Sequence, residues 1–250
     1  MGLDAGESVE ESEESTPATP ISFPSEDTVS ATSGSDVVDE SDGPQQRYQR
    51  PCDQVAWAIR SKRGMLTDGS LATLSKLLMK HDAFLNIPIL STFLLPRALK
   101  DKKSILKWHD WTKVFAAKTV LLPVFFAAHW TLAAIFPTAR VIVMFDSLWD
   151  KLQTPQLGRR VRDLLWIVDP RPRLTDPKED WRFQKTPVQT TAARQAGGVE
   201  CGIFVVARML EIAIGCGHSF KQENVRALRE ALYQSLKMKK LADSALPPYV

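Results

Sequence analysis

Cys201, His129, Asp146 and Gln195 are the residue types that thiol hydrolysis requires. A cysteine nucleophile needs a base to take its proton and later protonate the leaving group. The base needs a partner that fixes its tautomer, and the developing oxyanion needs donors. Cys201 ends a polar, glycine-bearing loop (194–202), and the residues that follow are almost wholly apolar as far as Gly215 and Gly217. This pattern predicts a buried helix, closed by those glycines, with Cys201 in its first turn. There, unpaired N–H groups and the helix dipole favour a thiolate. An isolated cysteine is more often a small buried hydrophobe, so the assignment depends on residues upstream.

Four histidines could serve as the base. His81 closes an amphipathic helix, His109 lies in a basic stretch, and His218 follows the buried helix. His129 opens an apolar strand and is followed by Trp130. With a two-residue turn at Pro137-Thr138, residue 136 pairs with 139 and His129 stands opposite Asp146. Their Cβ atoms would then be roughly 4.5–5.5 Å apart. A three-residue turn slips the register by one and puts the two side chains on opposite faces. Asp150 is the weaker substitute for Asp146. Gln195, six residues before Cys201, could fold its amide over the helix start and share an oxyanion hole with the Cys201 N–H. Gly197-Gly198 suits a loop that backbone or substrate approaches closely.

The elements that must position these residues follow from spacing. Leu71, Leu74, Leu77 and Leu78 mark an amphipathic helix, with Thr67, Asp68 or Ser70 as its N-cap. A basic helical stretch is expected over 96–114. Residues 120–126 read as a central strand covered on both faces, and 129–136 with 140–146 as a hairpin. Thr154-Pro155 opens a helix with Leu157, Val161, Leu164, Leu165 and Val168 on one face. Residues 181–186 read as a further strand. Ser219-x-x-Gln222 reads as a capping box before a last helix through Val225, Leu228, Leu232 and Leu236.

Charge divides the chain. Residues 1–50 carry 12 acidic and 2 basic residues, the remainder 17 acidic and 30 basic. Residues 1–46, rich in Ser, Glu and Pro, are expected to be a disordered acidic tail. The basic body, 47–250, suggests an acidic partner. Its basic residues are scattered without aromatic interleaving, which argues against nucleic acid. Cys52, Cys201 and Cys216 cannot all pair internally, and no apolar N-terminal segment resembles a signal peptide. An intracellular setting, nucleus or cytoplasm, is therefore expected. The apolar run 120–136 is too short and interrupted to span a bilayer, so no membrane partner is expected. Cys216-x-His218 lacks further ligands at zinc spacing, so no metal or other cofactor is expected.

His129-Trp130, Asp146-Ser147-Leu148 and Gln195-x-x-Gly198-x-x-Cys201-Gly202 together resemble the ubiquitin-like-protein-specific (SUMO/sentrin) cysteine proteases, with adenovirus protease as a relative. The resemblance covers roughly residues 64–214. It implies a papain-like α/β (α+β) fold, a central mixed or antiparallel sheet flanked by helices, with 47–250 as the catalytic domain. It also implies Cys201 as nucleophile, His129 as base, Asp146 as orienter and Gln195 as oxyanion donor.

The implied activity is thiol protease or isopeptidase cleavage after the C-terminal Gly-Gly of a ubiquitin-like modifier, SUMO above all, by a monomer that needs no cofactor. A cysteine acyltransferase and an idle modifier-binding module are the alternatives. The family often opens with Trp-Leu-x-Asp, and this chain reads Met65-Leu66-Thr67-Asp68. Two tryptophans usually enclose the Gly-Gly tail. Met65 therefore leaves Trp130 as the single aromatic wall, with Asp68 and Gly198 beside it. Gly197 and Glu200 stand where Asn and Asp are common.

Overall fold

The computed structural model describes residues 51–61, 64–148, 153–172, 180–184 and 194–249. The expectations for residues 1–46 and for Asp150 lie outside them. Helices α1 (Pro51–Arg60), α2 (Asp68–Leu78), α3 (Leu94–Lys100) and α4 (Trp111–Ala116) precede strands β1 (Val120–Phe126), β2 (His129–Phe136) and β3 (Val141–Phe145). Helix α5 (Gln153–Val168), strand β4 (Arg182–Gln184) and helices α6 (Cys201–Ile214) and α7 (Val225–Met238) follow. The sheet runs β1-β2-β3-β4, antiparallel except that β4 lies parallel to β3. It is mixed and flanked by helices, as expected.

Strand alternation distributes the core over both faces of the sheet. On β2, Trp130, Leu132 and Ala134 belong to the layer formed with α2, α6 and α7. Ala133 and Ile135 belong to the opposite layer, with α3, α4 and α5. The predicted apolar stripe of α5, from Leu157 to Val168, is buried in that second layer. Thr67 caps α2, its hydroxyl accepting the Ser70 N–H at 3.2 Å. Gly215, at φ +74°, ends α6 in the left-handed conformation that glycine adopts without steric cost.

Four expectations are corrected. First, β1 is an edge strand, not a central one. Its outer side bonds to residues 88 and 90, with Leu90 N–H on the Leu121 carbonyl (2.8 Å) and Leu121 N–H on that of Pro88 (2.9 Å). Pro123, which has no N–H to give a second neighbour, fits that position. Second, residues 96–114 do not form one helix. The Asp101 carboxylate accepts from the N–H groups of Lys103 and Ser104, and that of Asp110 from Lys113, so each aspartate starts a new turn.

Third, Ser219 and Gln222 form no capping box. Ser219 donates to the buried Glu211, and it is the Asn224 side chain that accepts the Lys221 N–H, at 2.8 Å. Fourth, the β2–β3 connection has neither two residues nor three. Phe136 pairs with Val141, leaving a four-residue loop with Arg140 at φ +50°.

Strands β1 and β2 are joined by Ala127-Ala128, both at positive φ (48° and 60°), between the paired Phe126 and His129. This is the backbone of a type I′ turn, which favours Asn-Gly. Alanine loses roughly 1–2 kcal/mol there, a cost that Gly avoids and that Asn offsets by local side-chain hydrogen bonding. Replacing Ala127-Ala128 with Asn-Gly should stabilise the fold by about 1–2 kcal/mol. Urea unfolding should show this as a higher midpoint at unchanged slope.

Candidate active site

The site lies beyond the end of the β2–β3 ladder, which stops at Leu132↔Phe145. Continuing that register puts Asp146 opposite Thr131, so His129 and Asp146 are diagonal neighbours, not direct ones. The shift from the expected pairing is two residues. An even shift keeps both side chains on one face, and an imidazole can span the diagonal. His129 Nε2 and Asp146 Oδ1 are 2.8 Å apart, both buried.

Asp146 is held from two further sides. Its Oδ1 accepts the Leu148 N–H at 2.9 Å, and its Oδ2 accepts the Thr154 hydroxyl at 2.6 Å. Thr154 lies in the first turn of α5, which Thr154-Pro155 is expected to open, and its hydroxyl serves the carboxylate. Burial acts to raise the Asp146 pKa, but its bonds to His129 and Thr154 outweigh burial and hold it at about 2.

Cys201 opens α6 as expected and is 1 % exposed. Its sulfur lies close enough to the imidazole that Asp146 holds to help raise that ring's pKa. Since Nε2 is committed to Asp146, Nδ1 is the ring nitrogen left for the sulfur. Burial alone would lower the His129 pKa, but the bonds and charges of Asp146 and Cys201 lift it to about 9. The sign of each shift sets a pH window. The histidine's contribution to stability is complete below about 6.5 and lost as pH rises through about 9. The aspartate's is complete above about 4 and lost as pH falls through about 2. These are two views of one interaction and do not add.

Gln195 is buried beside this group. Its Oε1 accepts the Ser147 hydroxyl and its Nε2 donates to the Gly197 carbonyl, both at 2.6 Å, while its backbone N–H bonds the Ser147 carbonyl at 3.1 Å. The amide has a second N–H, which has no partner among the described residues.

The expected substrate-contacting residues are less uniform. Trp130 is no open wall. It is 1 % exposed, and its indole N–H goes to the Leu66 carbonyl at 2.7 Å. Residue 130 has the opposite strand parity from His129 and so falls in the core layer that holds α6. Met65 and Asp68 are half-buried, whereas Gly198 is exposed with open space around it.

Leu66 ties the neighbours of both reactive residues together. Its carbonyl holds Trp130, next to His129. Its side chain leaves no room for a Cβ on Gly202, next to Cys201, where an added carbon would lie 2.8 Å from the leucine Cβ.

A further support gave no signal in the sequence. The buried Arg229 guanidinium donates to the carbonyls of Ala58 (3.1 Å), Ile59 (3.0 Å) and Gly64 (2.9 Å), and more distantly to Val199 (3.5 Å). It thereby joins α7, the end of α1, the 64–66 segment and the cysteine loop. Burial draws its pKa down, opposed by the charges of Glu200 and Cys201. Arg229→Met should cost about 2–3 kcal/mol by stranding buried carbonyls, read as a lower denaturant midpoint.

The chain is similar to known proteins in family and fold. A model of the Ulp1 protease family, C-terminal catalytic domain, matches residues 89–245. Sentrin-specific protease 3 of mouse and of human are each 26% identical over 129 residues, covering 50% of this chain and 22% of theirs. The aligned segment thus spans about a fifth of the length of these relatives. Among solved structures, the Chaetomium thermophilum Ulp1-like SUMO protease catalytic domain superposes with a TM-score of 0.55 at 17% identity, over 75% of this chain and 79% of that one. A SUMO protease Ulp1 whose catalytic cysteine is oxidised to a sulfenic acid gives 0.58 at 15% identity, over 79% and 98%. At such identities the likeness is one of fold. With its family model matched over more than half its length, the chain belongs to the Ulp1 cysteine protease family.

Proposed function

We propose that residues 47–250 act as a thiol protease or isopeptidase that cleaves after the C-terminal Gly-Gly of a ubiquitin-like modifier of the SUMO type. One observation carries the reading: a single buried imidazole is bonded to Asp146 through Nε2 at 2.8 Å and lies within electrostatic reach of Cys201 at the first turn of α6. The Cys201 thiolate attacks the glycine carbonyl, and its electron pair moves onto the carbonyl oxygen. Gln195 and the Cys201 N–H stabilise that oxyanion. His129, carrying the proton taken from the thiol, delivers it to the departing amine as the C–N bond breaks. Water, deprotonated by the now neutral His129, then attacks the thioester, and the thiol leaves reprotonated. The excess of basic over acidic residues in 51–250 suits an acidic modifier.

Among the described residues no helix is long and apolar enough to cross a membrane. We take the site of action to be the nucleus or cytoplasm, with the enzyme a monomer.

The full chain is tested against SUMO and ubiquitin carrying a fluorogenic C-terminal amide, and against acetyl-CoA. Release of the fluorophore from the SUMO conjugate supports the reading. Labelling by acetyl-CoA without such release would replace it with acyl transfer, and neither reaction would leave a modifier-binding module.

A further inference from the structure

Ser147 immediately follows the residue that orients His129, and it faces the other half of the site. Its hydroxyl donates to Gln195 Oε1 at 2.6 Å, and both residues are buried. On the far side of the amide, Nε2 donates to the Gly197 carbonyl, also at 2.6 Å. A carbonyl can only accept. Rotating the amide by half a turn would set two carbonyl oxygens against each other at that distance and leave the Ser147 hydroxyl facing an N–H₂ group. The glycine carbonyl therefore admits one orientation, with the oxygen toward Ser147 and the second N–H free for a ligand. The Ser147 hydroxyl donates to that oxygen and holds it there.

This matters only if Gln195 donates to an oxyanion, so the inference rests on the function proposed above. An amide turned the wrong way would present a lone pair to the developing negative charge. We infer that Ser147 is a positioning residue that locks the Gln195 amide with its N–H toward the reacting carbonyl. The dipeptide Asp146-Ser147 then sets both the base and the oxyanion donor. The backbone bond from Gln195 N–H to the Ser147 carbonyl does not involve the hydroxyl. Removing the hydroxyl therefore takes away one of the amide's two anchors, leaving the Gly197 carbonyl as the other, without releasing the loop.

The test is a double-mutant cycle on the full chain, using hydrolysis of a SUMO C-terminal fluorogenic amide. Gln195→Ala should lower kcat about 10²–10³-fold. Ser147→Ala should lower kcat about 10-fold, the worth of one buried hydrogen bond, with KM within about twofold. In the Gln195→Ala background, Ser147→Ala should have no further effect on kcat. The alkaline limb of the pH profile should stay where the wild type has it, because His129 and Asp146 are untouched. The inference is overturned if Ser147→Ala leaves kcat unchanged, or lowers it equally with and without Gln195. If Gln195→Ala itself leaves kcat unchanged, the oxyanion role fails first and the inference falls with it.

Discussion

Cys201→Ala should abolish covalent capture of a SUMO modifier bearing a C-terminal electrophile and lower amide hydrolysis by more than about 10⁴-fold. The reason is placement. The sulfur sits at the start of a buried 14-residue helix, at the positive end of its dipole, beside an imidazole that a carboxylate holds. Cys216, the other cysteine whose side chain is described, does not have this setting. Cys216 follows the end of the same helix, and burial, with the Glu211 charge, pushes its thiol up, away from a thiolate. Alanine removes the nucleophile but fills the site with a residue of suitable size and helix propensity, so modifier binding should persist. Mass spectrometry of the captured adduct and a binding titration together check the result. A variant that still forms the adduct would assign the nucleophile elsewhere.

Asp146→Asn should lower kcat by about 10²–10⁴-fold and move the alkaline limb of kcat/KM downward. The amide is close in shape to the carboxylate. Its oxygen can take the bonds now made to His129 and Leu148, and the Thr154 hydroxyl can turn to accept from its nitrogen. What is lost is a negative charge 2.8 Å from the imidazole. In the wild type, His129 keeps its proton up to about pH 9, so the general acid survives well into the alkaline range. Without the carboxylate, burial acts with less opposition, and the imidazole loses its proton at lower pH. A pH–rate profile of both proteins reads the shift directly. Equal alkaline limbs would mean that Asp146 does not set the imidazole's charge.

What the sequence could reveal depended on how local each feature is. The Cys201 helix was legible because a polar loop, an apolar run and a terminal glycine are contiguous. The His129–Asp146 pairing was legible through strand parity, although the loop is two residues longer than the turn that would set them directly opposite. Side chains alternate with period two, so an even error in register leaves the same residues on the same face. The preceding hairpin left no signal, because Ala127-Ala128 lacks the Asn-Gly chemistry its turn favours. The supporting residues were least visible. Thr154 resembles a helix cap, Ser147 a strand-ending turn, and Arg229 an ordinary charge on an amphipathic helix. Their roles arise only when α5, the cysteine loop and α1 are brought against them in space. Trp130 shows the converse: the motif suggested a substrate wall, but parity and the Leu66 carbonyl put it in the core.

The central claim is that Asp146 and Cys201 together keep one imidazole charged. NMR titration of the His129 ring in the isotope-labelled full chain measures this without any substrate. The account predicts a pKa near 9 in the wild type, reduced separately by Cys201→Ala and by Asp146→Asn. A ring titrating near its ordinary value of about 6.5, and indifferent to both substitutions, would contradict it.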